Sequence, residues 1–454
     1  MHSIIIGAGV VGYTIAKKLS NEGHDVVLIE KDEKRIKEVQ ESLDVRVVKG
    51  SGSNPRVLIE AGIEETDLVI AVTDSDEVNM IGCLIAGSQT KVPKKIARIR
   101  NPEYLSYTRI FEKDYLDLDL NINPQKMAAE RILQVIDVPG AVDVVDFVKG
   151  KLKLIGSRLT AESSVVGKRV KDIDDLHPDH KVIMVAIYRN SETIVPQGST
   201  MLKANDLLFA VTVPHEVTNL LKILGRGEKQ GNKILIIGGG NIGFYVAENL
   251  EKKGYQVKVI ESNEERCSFL AENLGKTIVI NGDGTDQGIL AEENISDIDT
   301  FVAVTNSEEA NILTSLLAKR AGVARCISLV DKPEYVSMFP TVGIDVAVSP
   351  RLSSVSVILR FIRKGMVISV TTLMEERMEA IETVALETSE IAGKRVRNIR
   401  FPKDVLIGAV IKGEEVLIPE GDTMIDPGDG VVLFLLSKSV PKLEKFLMVK
   451  PEFF

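Results

Sequence analysis

The stretches Gly7-Ala8-Gly9-Val10-Val11-Gly12 and Gly238-Gly239-Gly240-Asn241-Ile242-Gly243 are two glycine-rich turns, 231 residues apart in a chain of 454 residues. Each turn follows a short apolar run, and each has a glutamate 23 residues after its first glycine, at Glu30 and Glu261. One such turn alone is weak evidence, because glycine also serves tight turns that bind nothing. Three glycines and an acid repeated at one spacing indicate a dinucleotide-binding unit that is present twice.

Each part of this pattern has a chemical role. In a dinucleotide fold the first glycine permits the turn from strand to helix, the second lets the backbone approach the pyrophosphate, and the third allows close helix packing. Gly9 and Gly240 are therefore the positions where a side chain would block a ligand. Glu30 and Glu261 are placed to accept hydrogen bonds from ribose hydroxyls and to repel a 2′-phosphate. The pattern favours NAD(H) or an adenine nucleotide over NADP.

The residues around each turn alternate between strand and helix patterns. We predict strands over 3–6, 25–29, 45–48, 68–72 and 96–99, helices over 11–21, 32–43, 57–61 and 76–87, and a last helix and strand near 102–122. The second copy repeats the strands at 233–237, 257–260, 277–280 and 300–304. Alternation of this kind predicts an α/β fold with two Rossmann-like, doubly wound parallel sheets.

Two smaller segments also match each other. Residues 166–170 resemble 392–396, and residues 194–198 resemble 417–421. Short β patterns separated by Gly, Pro and Asp turns predict a small α+β module after each Rossmann-like domain.

The repeats set the expected domain boundaries. We expect the Rossmann-like domains at 1–122 and 232–349, the small modules at 140–224 and 368–454, connector helices within 123–139 and 350–367, and a linker at 225–231. In each connector segment a proline precedes the helical pattern, which runs over 124–136 and 350–362.

Polar residues at the ends of the fourth strands are further site candidates. Thr73 and Asp74 lie there in the first copy, and Thr305 and Asn306 in the second. Ligands of open α/β sheets bind at this carboxyl edge. An alternative is that these residues cap the helices that begin near Asp76 and Glu308. Arg98, on the fifth strand, is placed to complement phosphate charge.

Composition narrows the function further. The net charge is −9, tryptophan is absent and no basic stripe with interleaved aromatics occurs, so nucleic acid is not an expected partner. The three cysteines are scattered without C-x-x-C spacing and are expected to be buried thiols. No stretch has the length of a membrane span or the basic start of a signal peptide. We expect a cytoplasmic protein whose membrane association depends on a partner.

The sequence gives little support for catalysis. The five histidines all lie in the first half, so the duplicated units share no histidine acid or base. His177 and His180, with Asp174, Asp175 and Asp179, could be imagined as a metal site, but a solvated turn is the preferred interpretation. A hydride-transfer enzyme also needs a substrate domain with positioned polar groups, which the small modules do not offer. We expect no enzyme, no catalytic residue and no metal ligand.

The whole chain resembles a known family. The tandem glycine turns, the run Ala-Val-Thr-Asp-Ser-Asp-Glu-Val-Asn at 71–79, Arg98 and the two Gly-Lys-Arg-Val modules resemble the TrkA family of peripheral regulatory subunits of Trk potassium uptake systems. The resemblance implies two RCK (KTN) N-domains, each followed by an RCK C-domain. It also implies a homo-oligomeric cytosolic ring on a membrane potassium-translocating subunit, with NAD(H) and possibly ATP or ADP as effectors.

The resemblance also implies which residues line each site. Those of the first site are Gly7 to Val11, Glu30, Thr73, Asp74 and Arg98, and those of the second are Gly238 to Ile242, Glu261, Thr305 and Asn306, together with Asp283. Family members commonly have an aspartate where this chain has Asp283, but Ser51 departs from that pattern, and Leu329 stands opposite Arg98 in the repeat. We therefore expect two unequal pockets. An NAD-dependent oxidoreductase and a soluble nucleotide sensor without a membrane partner remain the alternatives.

Overall fold

The chain divides into two compact units, Met1–Met127 with Pro350–Ile362, and Ala128–Ser349 with Arg363–Phe454. The computed structural model describes residues 1–90, 92–173, 181–190, 192–226, 231–336, 338–362, 367–373, 378–402, 404–440 and 443. Residues 174–180, which contain the imagined metal site, lie outside the described residues. Within the described residues, no group of His, Cys, Asp and Glu has an arrangement that could hold a metal ion.

The first unit is built on a parallel sheet. Its strands are β1 (His2–Ile6), β2 (Asp25–Glu30), β3 (Arg46–Lys49), β4 (Leu68–Ala71), β5 (Lys94–Arg98) and β6 (Leu120–Ile122), in the order β3-β2-β1-β4-β5-β6. Its helices are Val10–Asn21, Glu33–Ser42, Pro55–Glu60, Asp76–Thr90, Pro102–Ser106 and Pro350–Ile362. Every strand pairing is parallel. The predicted doubly wound sheet is confirmed.

The strand order places a crevice at the end of β1. The chain leaves β1 toward β2 on one side and returns to β4 on the other, so the order reverses at this point. Ile4, Ile5 and Ile6 of β1 are fully or almost fully buried between the two helical layers. Open α/β sheets bind ligands outside the carboxyl ends of the strands at such a switch point.

Helix Pro350–Ile362, far away in the sequence, completes the core of the first unit. Val355, Ile358, Leu359 and Ile362 are buried in one cluster with residues of β1, β2 and helix Val10–Asn21. Their spacing places them on one face of the helix. The bounds of this helix match the sequence pattern, but nothing in the sequence indicated which domain its apolar face covers.

The second unit begins with the rest of helix Pro124–Ile136 and a small antiparallel sheet. The strands are β7 (Asp143–Phe147), β8 (Leu152–Arg158), β9 (Ile183–Arg189), β10 (Glu192–Ile194) and β11 (Leu207–Thr212), in the order β10-β9-β11-β8-β7. Helix Val217–Ile223 follows β11 and buries Leu220, Leu221 and Ile223.

The second Rossmann-like sheet repeats the first. Its strands are β12 (Lys233–Ile237), β13 (Gln256–Glu261), β14 (Ile278–Asn281), β15 (Thr300–Ala303), β16 (Arg325–Leu329) and β17 (Val346–Val348), in the order β14-β13-β12-β15-β16-β17. The helices are Asn241–Lys252, Glu264–Asn273, Gln287–Glu292, Glu308–Arg320 and Pro333–Val336. The apolar residues of helix Pro124–Ile136 from Ala128 onward are buried in its core, so this sheet too is covered by the connector helix of the other half.

The second small module repeats the first and packs against it. Its strands are β18 (Val367–Leu373), β19 (Met378–Val384), β20 (Lys394–Arg395), β21 (Val405–Lys412), β22 (Glu415–Leu417), β23 (Met424–Ile425) and β24 (Gly430–Leu436). The main sheet has the order β18-β19-β24-β21-β22, and β20 pairs with β23. Apolar residues of both modules form one cluster, in which Phe147 and Phe434 meet edge to face at 5.8 Å.

Candidate nucleotide-binding site

The outer glycines of each turn are required by the protein itself. Gly7 has a φ of +103° and Gly238 a φ of +101°, a backbone conformation that residues with a Cβ rarely adopt. A Cβ on Gly12 would collide with the carbonyl oxygen of Gly7, and one on Gly243 with that of Gly238. These four glycines therefore have a structural explanation that needs no ligand.

The middle glycines have no such explanation. Gly9 has φ −65° and ψ 176°, and Gly240 has φ −59° and ψ −168°, values open to any residue. A Cβ on Gly9 would meet only the Arg35 Nη1 atom, at 3.9 Å, and a Cβ on Gly240 would meet nothing within 4 Å. The protein leaves both turns open on the side where a pyrophosphate would approach.

A carboxylate supports each turn, and in the first copy it is buried. Glu30 is 6% exposed, and its Oε2 atom accepts a hydrogen bond from the Ala8 N–H at 2.7 Å. Its Oε1 atom accepts from the N–H groups of Lys31 at 2.7 Å and Asp32 at 3.0 Å. A carboxylate offers about four acceptor positions, so one remains for a hydroxyl donor. Glu30 thus fixes the turn and keeps the capacity to bind a ribose.

Glu261 makes two of these three contacts in the second copy. Its Oε2 atom accepts from the Gly239 N–H at 2.7 Å, and its Oε1 atom accepts from the Asn263 N–H at 2.9 Å. The repeat therefore extends from the sequence to the hydrogen bonds. Gly239 stands where the first copy has Ala8, because a Cβ there would collide with Leu270, whose counterpart is the smaller Val39.

The first turn opens onto a cleft of about 370 Å³ at the carboxyl edge of the sheet. This volume lies within the range of small-molecule sites. The cleft is lined by Ile6, Gly7, Gly9, Val10, Val11, Ile29, Glu30, Lys31, Arg35, Gly50, Ser51, Gly52, Val72, Thr73, Asp74, Ser75, Val78, Arg98 and Arg351. The structure therefore brings together eight predicted residues: Gly7, Gly9, Val10, Val11, Glu30, Thr73, Asp74 and Arg98. Ala8 and Gly12 do not line the cleft. The Ala8 N–H binds Glu30, and Gly12 lies against the Gly7 carbonyl.

Arg98 closes the far side of this cleft by pairing with the end of β4. Its Nε atom donates to the Thr73 carbonyl at 3.1 Å, and its Nη2 atom donates to Asp74 Oδ1 at 2.6 Å. The Arg98 hydrogen bond holds the pKa of Asp74 below its ordinary value, and the charges of Arg100 and Arg35 act in the same direction. Arg98 therefore balances the charge of Asp74 besides facing the cleft.

Thr73 and Thr305 are held by asparagines whose role the sequence did not reveal. Asn79 Oδ1 accepts from the Thr73 N–H at 2.9 Å and the Thr73 hydroxyl at 2.7 Å, while its Nδ2 atom donates to the carbonyls of Thr73 and Arg98. Asn311 makes the corresponding bonds to Thr305 and Leu329. The asparagines are 0% and 2% exposed. Each joins the ends of two neighbouring strands at the carboxyl edge of its sheet.

Replacing Asn79 with alanine is expected to destabilise the first sheet by about 2–4 kcal/mol, because buried backbone groups of Thr73 and Arg98 lose their partners. Native-state hydrogen exchange of the amides in β4 and β5 measures this loss. Asn21→Ala, which changes an exposed asparagine at a helix end, should shift the same free energy by less than about 0.5 kcal/mol. Equal exchange rates in the two variants would show that Asn79 does not stabilise the ends of β4 and β5.

The capping alternative for the strand-end residues is wrong. The Ser75 hydroxyl accepts from the Val78 N–H at 3.2 Å, and the Ser307 hydroxyl accepts from the Ala310 N–H at 3.1 Å. Serine therefore caps both helices, one residue after Asp74 and Asn306. Neither Thr73, Asp74, Thr305 nor Asn306 is the cap.

The carboxyl edge of the second sheet lacks the ion pair found at the first. Leu329 is 9% exposed and belongs to the core, and Asn306 is exposed and uncharged. Asp283 accepts from the Thr285 N–H and hydroxyl, both at 2.8 Å, and the Thr285 N–H lowers the pKa of its carboxyl. In the first copy Ser51 occupies this turn and contacts Ser53. The two edges therefore carry different charges, as the sequence departures indicated.

An arginine pair at the repeat spacing was missed from the sequence. Arg35 and Arg266 are 231 residues apart. Arg35 lines the first cleft, and Arg266 donates from Nε to the Gly239 carbonyl at 2.6 Å. The Arg266 guanidinium also lies over the Phe269 ring, at 4.4 Å from its centroid. Comparing the two copies position by position would have found this pair.

Two Rossmann-like sheets, each with a glycine turn and an acid at its carboxyl edge and each followed by a small antiparallel module, define a tandem RCK-type protein. Residues 3–124 and 234–350 match the TrkA-N domain, and residues 154–225 and 381–448 match the TrkA-C domain. The Trk system potassium uptake protein TrkA of Halomonas elongata is 37% identical over 458 residues, which cover 100% of both chains. The chain belongs to the TrkA family.

Solved structures share the fold at low identity. The RCK domain of GsuK has a TM-score of 0.62 and 19% identity, and the comparison covers 98% of this chain and 94% of that one. The GsuK channel bound to NAD has a TM-score of 0.61 and 18% identity, covering 98% of this chain and 78% of that one. Among the described residues, no helix combines the length and hydropathy needed to cross a bilayer.

Proposed function

We propose that this chain is a regulatory subunit of a Trk-type potassium uptake system and that NAD(H) or adenine nucleotides bind to it as effectors. The observation that carries the nucleotide part is the pair Gly9 and Gly240, where the protein leaves room for a side chain and has none. The transport part is supported by relatives that match the whole chain and are named potassium uptake proteins.

The proposed first site consists of Gly7, Ala8, Gly9, Val10, Val11, Gly12, Glu30, Thr73, Asp74 and Arg98. The proposed second site consists of Gly238, Gly239, Gly240, Asn241, Ile242, Gly243, Glu261, Asp283, Thr305 and Asn306. In each site the first N–H groups of the following helix lack partners within that helix and face the incoming phosphates. The glutamate then accepts a ribose hydroxyl with its remaining acceptor position.

In this proposal the nucleotide is an effector that binds and dissociates without undergoing a chemical reaction. It shifts an equilibrium between arrangements of the connector helices only by its different affinities for those arrangements. In this proposal 1–122 and 232–349 are the nucleotide-binding domains, 140–224 and 368–454 the C-type domains, 123–139 and 350–367 the connectors and 225–231 the linker. Copies of the chain form a ring at the cytoplasmic face of the membrane, on a potassium-translocating subunit.

Calorimetric titration of the purified full chain with NAD, NADH, ATP and ADP tests the nucleotide part. We expect saturable binding with unequal affinities in the two clefts. A chain that binds none of the four contradicts the proposal. Monitoring NADH absorbance with candidate substrates during the same experiments separates the regulator from an oxidoreductase, because steady turnover is expected only of an enzyme.

Co-purification with a membrane protein that transports potassium tests the partner. We expect the chain to be retained by that protein in detergent and its nucleotides to change potassium flux in proteoliposomes. Nucleotide binding with no retention and no effect on flux would instead indicate a soluble sensor.

A further inference from the structure

We propose that Arg351 is a phosphate-contacting residue of the first cleft and that it favours ligands with a terminal phosphate, such as a nucleoside triphosphate. The residue comes from the second connector helix, Pro350–Ile362, although the cleft belongs to the first Rossmann-like domain. This inference rests on the proposed function, since it assumes that a nucleotide binds there.

The helix that carries Arg351 is firmly fixed to the first unit. Val355, Ile358, Leu359 and Ile362 are between 0% and 7% exposed and lie in the same core as the helix that follows the glycine turn. These four residues follow the spacing of a single helical face. Arg351 lies one turn before this face, immediately after Pro350. Its backbone is therefore positioned by this packing.

The charges around the cleft fit an anion with several phosphates. Lys31, Arg35, Arg98 and Arg351 line it, against only two acids, Glu30 and Asp74. Glu30 already accepts three N–H groups, and Asp74 is paired with Arg98. Guanidinium groups offer a planar fork of donors that matches phosphate oxygens. The lining therefore has more cationic than acidic side chains, which favours the ligand that brings the most phosphate charge.

The repeat does not supply this cation twice. Pro350-Arg351 in the second connector corresponds to Pro124-Gln125 in the first. An arginine at this place is therefore a property of one connector only. Because the arginine belongs to helix Pro350–Ile362, phosphate binding and the attachment of that helix stabilise each other, as linkage requires. The second C-type segment follows this helix in the chain.

Isothermal titration of Arg351→Gln tests the proposal in the full chain. The same titration is repeated in a Gly240→Asp background, which is intended to block nucleotide binding at the proposed second site. We expect the affinity for ATP to fall about 10- to 50-fold, from the loss of one charge-assisted contact. ADP, which lacks the terminal phosphate, should lose at most about threefold. Arg351→Lys should retain part of the ATP affinity. Arg56→Gln, which removes an exposed arginine of the same unit outside the cleft, is the matched control and should change neither affinity.

Hydrogen exchange provides a second readout. ATP should slow amide exchange in helix Pro350–Ile362 of the chain with Arg351, and this protection should be lost in Arg351→Gln. Equal ATP affinities of the chains with and without Arg351 would overturn this inference and leave the proposed function standing. Absence of nucleotide binding in the unaltered chain would overturn both, so the two failures are distinguishable.

Discussion

Gly9→Asp is expected to abolish the proposed nucleotide binding in the first cleft and to leave the fold intact. The backbone at Gly9 suits any residue, and its Cβ would have 3.9 Å to the Arg35 guanidinium, so the protein accommodates the side chain. The new carboxylate, however, occupies the approach of the pyrophosphate and repels it. Like charges placed together cost several kcal/mol, which corresponds to a loss on the order of 100-fold or more in affinity.

The measurement is a calorimetric titration with the ligand that binds the unaltered chain best, together with a thermal denaturation curve. Gly9→Asp and Gly240→Asp should each remove one set of sites, and the double variant should bind nothing. Gly421→Asp adds the same charge at an exposed glycine of the second small module and should bind normally. Full binding by the double variant would show that the glycine turns are not the site, whereas a large drop in melting temperature would contradict the open space at Gly9.

The central strands of both sheets could be predicted closely because they are short, apolar and bounded by turn residues, whereas β16 and β17 were not predicted. The pattern over 3–6 becomes β1, His2–Ile6, and the pattern over 300–304 becomes β15, Thr300–Ala303. Strands that are buried on both faces consist almost entirely of apolar residues, so they stand out in the sequence as short continuous apolar runs. The glycine turns were equally readable, since each glycine position has its own geometric reason.

The packing of the connector helices could not be predicted in the same way. The helical pattern over 350–362 is confirmed to the residue, but an apolar helix face does not encode which surface covers it. The structure places its buried residues in the first Rossmann-like core. The position of Arg351 in the first cleft could not be predicted for the same reason, because it depends on how this helix packs.

The residues that cap these two helices could not be identified from the sequence for a different reason. Thr73, Asp74 and Ser75 are all good capping residues in one run, and a helix start inferred from sequence is uncertain by one or two residues. Asn79 and Asn311 could be recognised as a matching pair. Their role in joining two strand ends could not be recognised, since their partners are backbone groups on neighbouring strands. Every residue has a backbone carbonyl, so residue types do not show which of them accepts a side-chain hydrogen bond.

Phe434→Ala is expected to destabilise the paired small modules by about 3–5 kcal/mol, the usual cost of truncating a buried phenylalanine. Phe434 is 0% exposed and belongs to the cluster formed by β7, β8, β9, β11, β19, β21 and β24. Its ring meets Phe147 of the other module edge to face, with an interplanar angle of 77°. The substitution therefore opens a cavity between the modules and removes an aromatic contact as well.

Hydrogen exchange of the amides in β11 and β24 measures this effect locally, which avoids treating a chain with several domains as a two-state system. Exchange should accelerate in both strands although only β24 is altered, because the two modules share one core. Tyr107→Ala, which removes an aromatic ring that is 74% exposed, should leave both strands unchanged. Acceleration confined to β24 would show that each module is stable alone, and a signal could then not pass between the halves through this core.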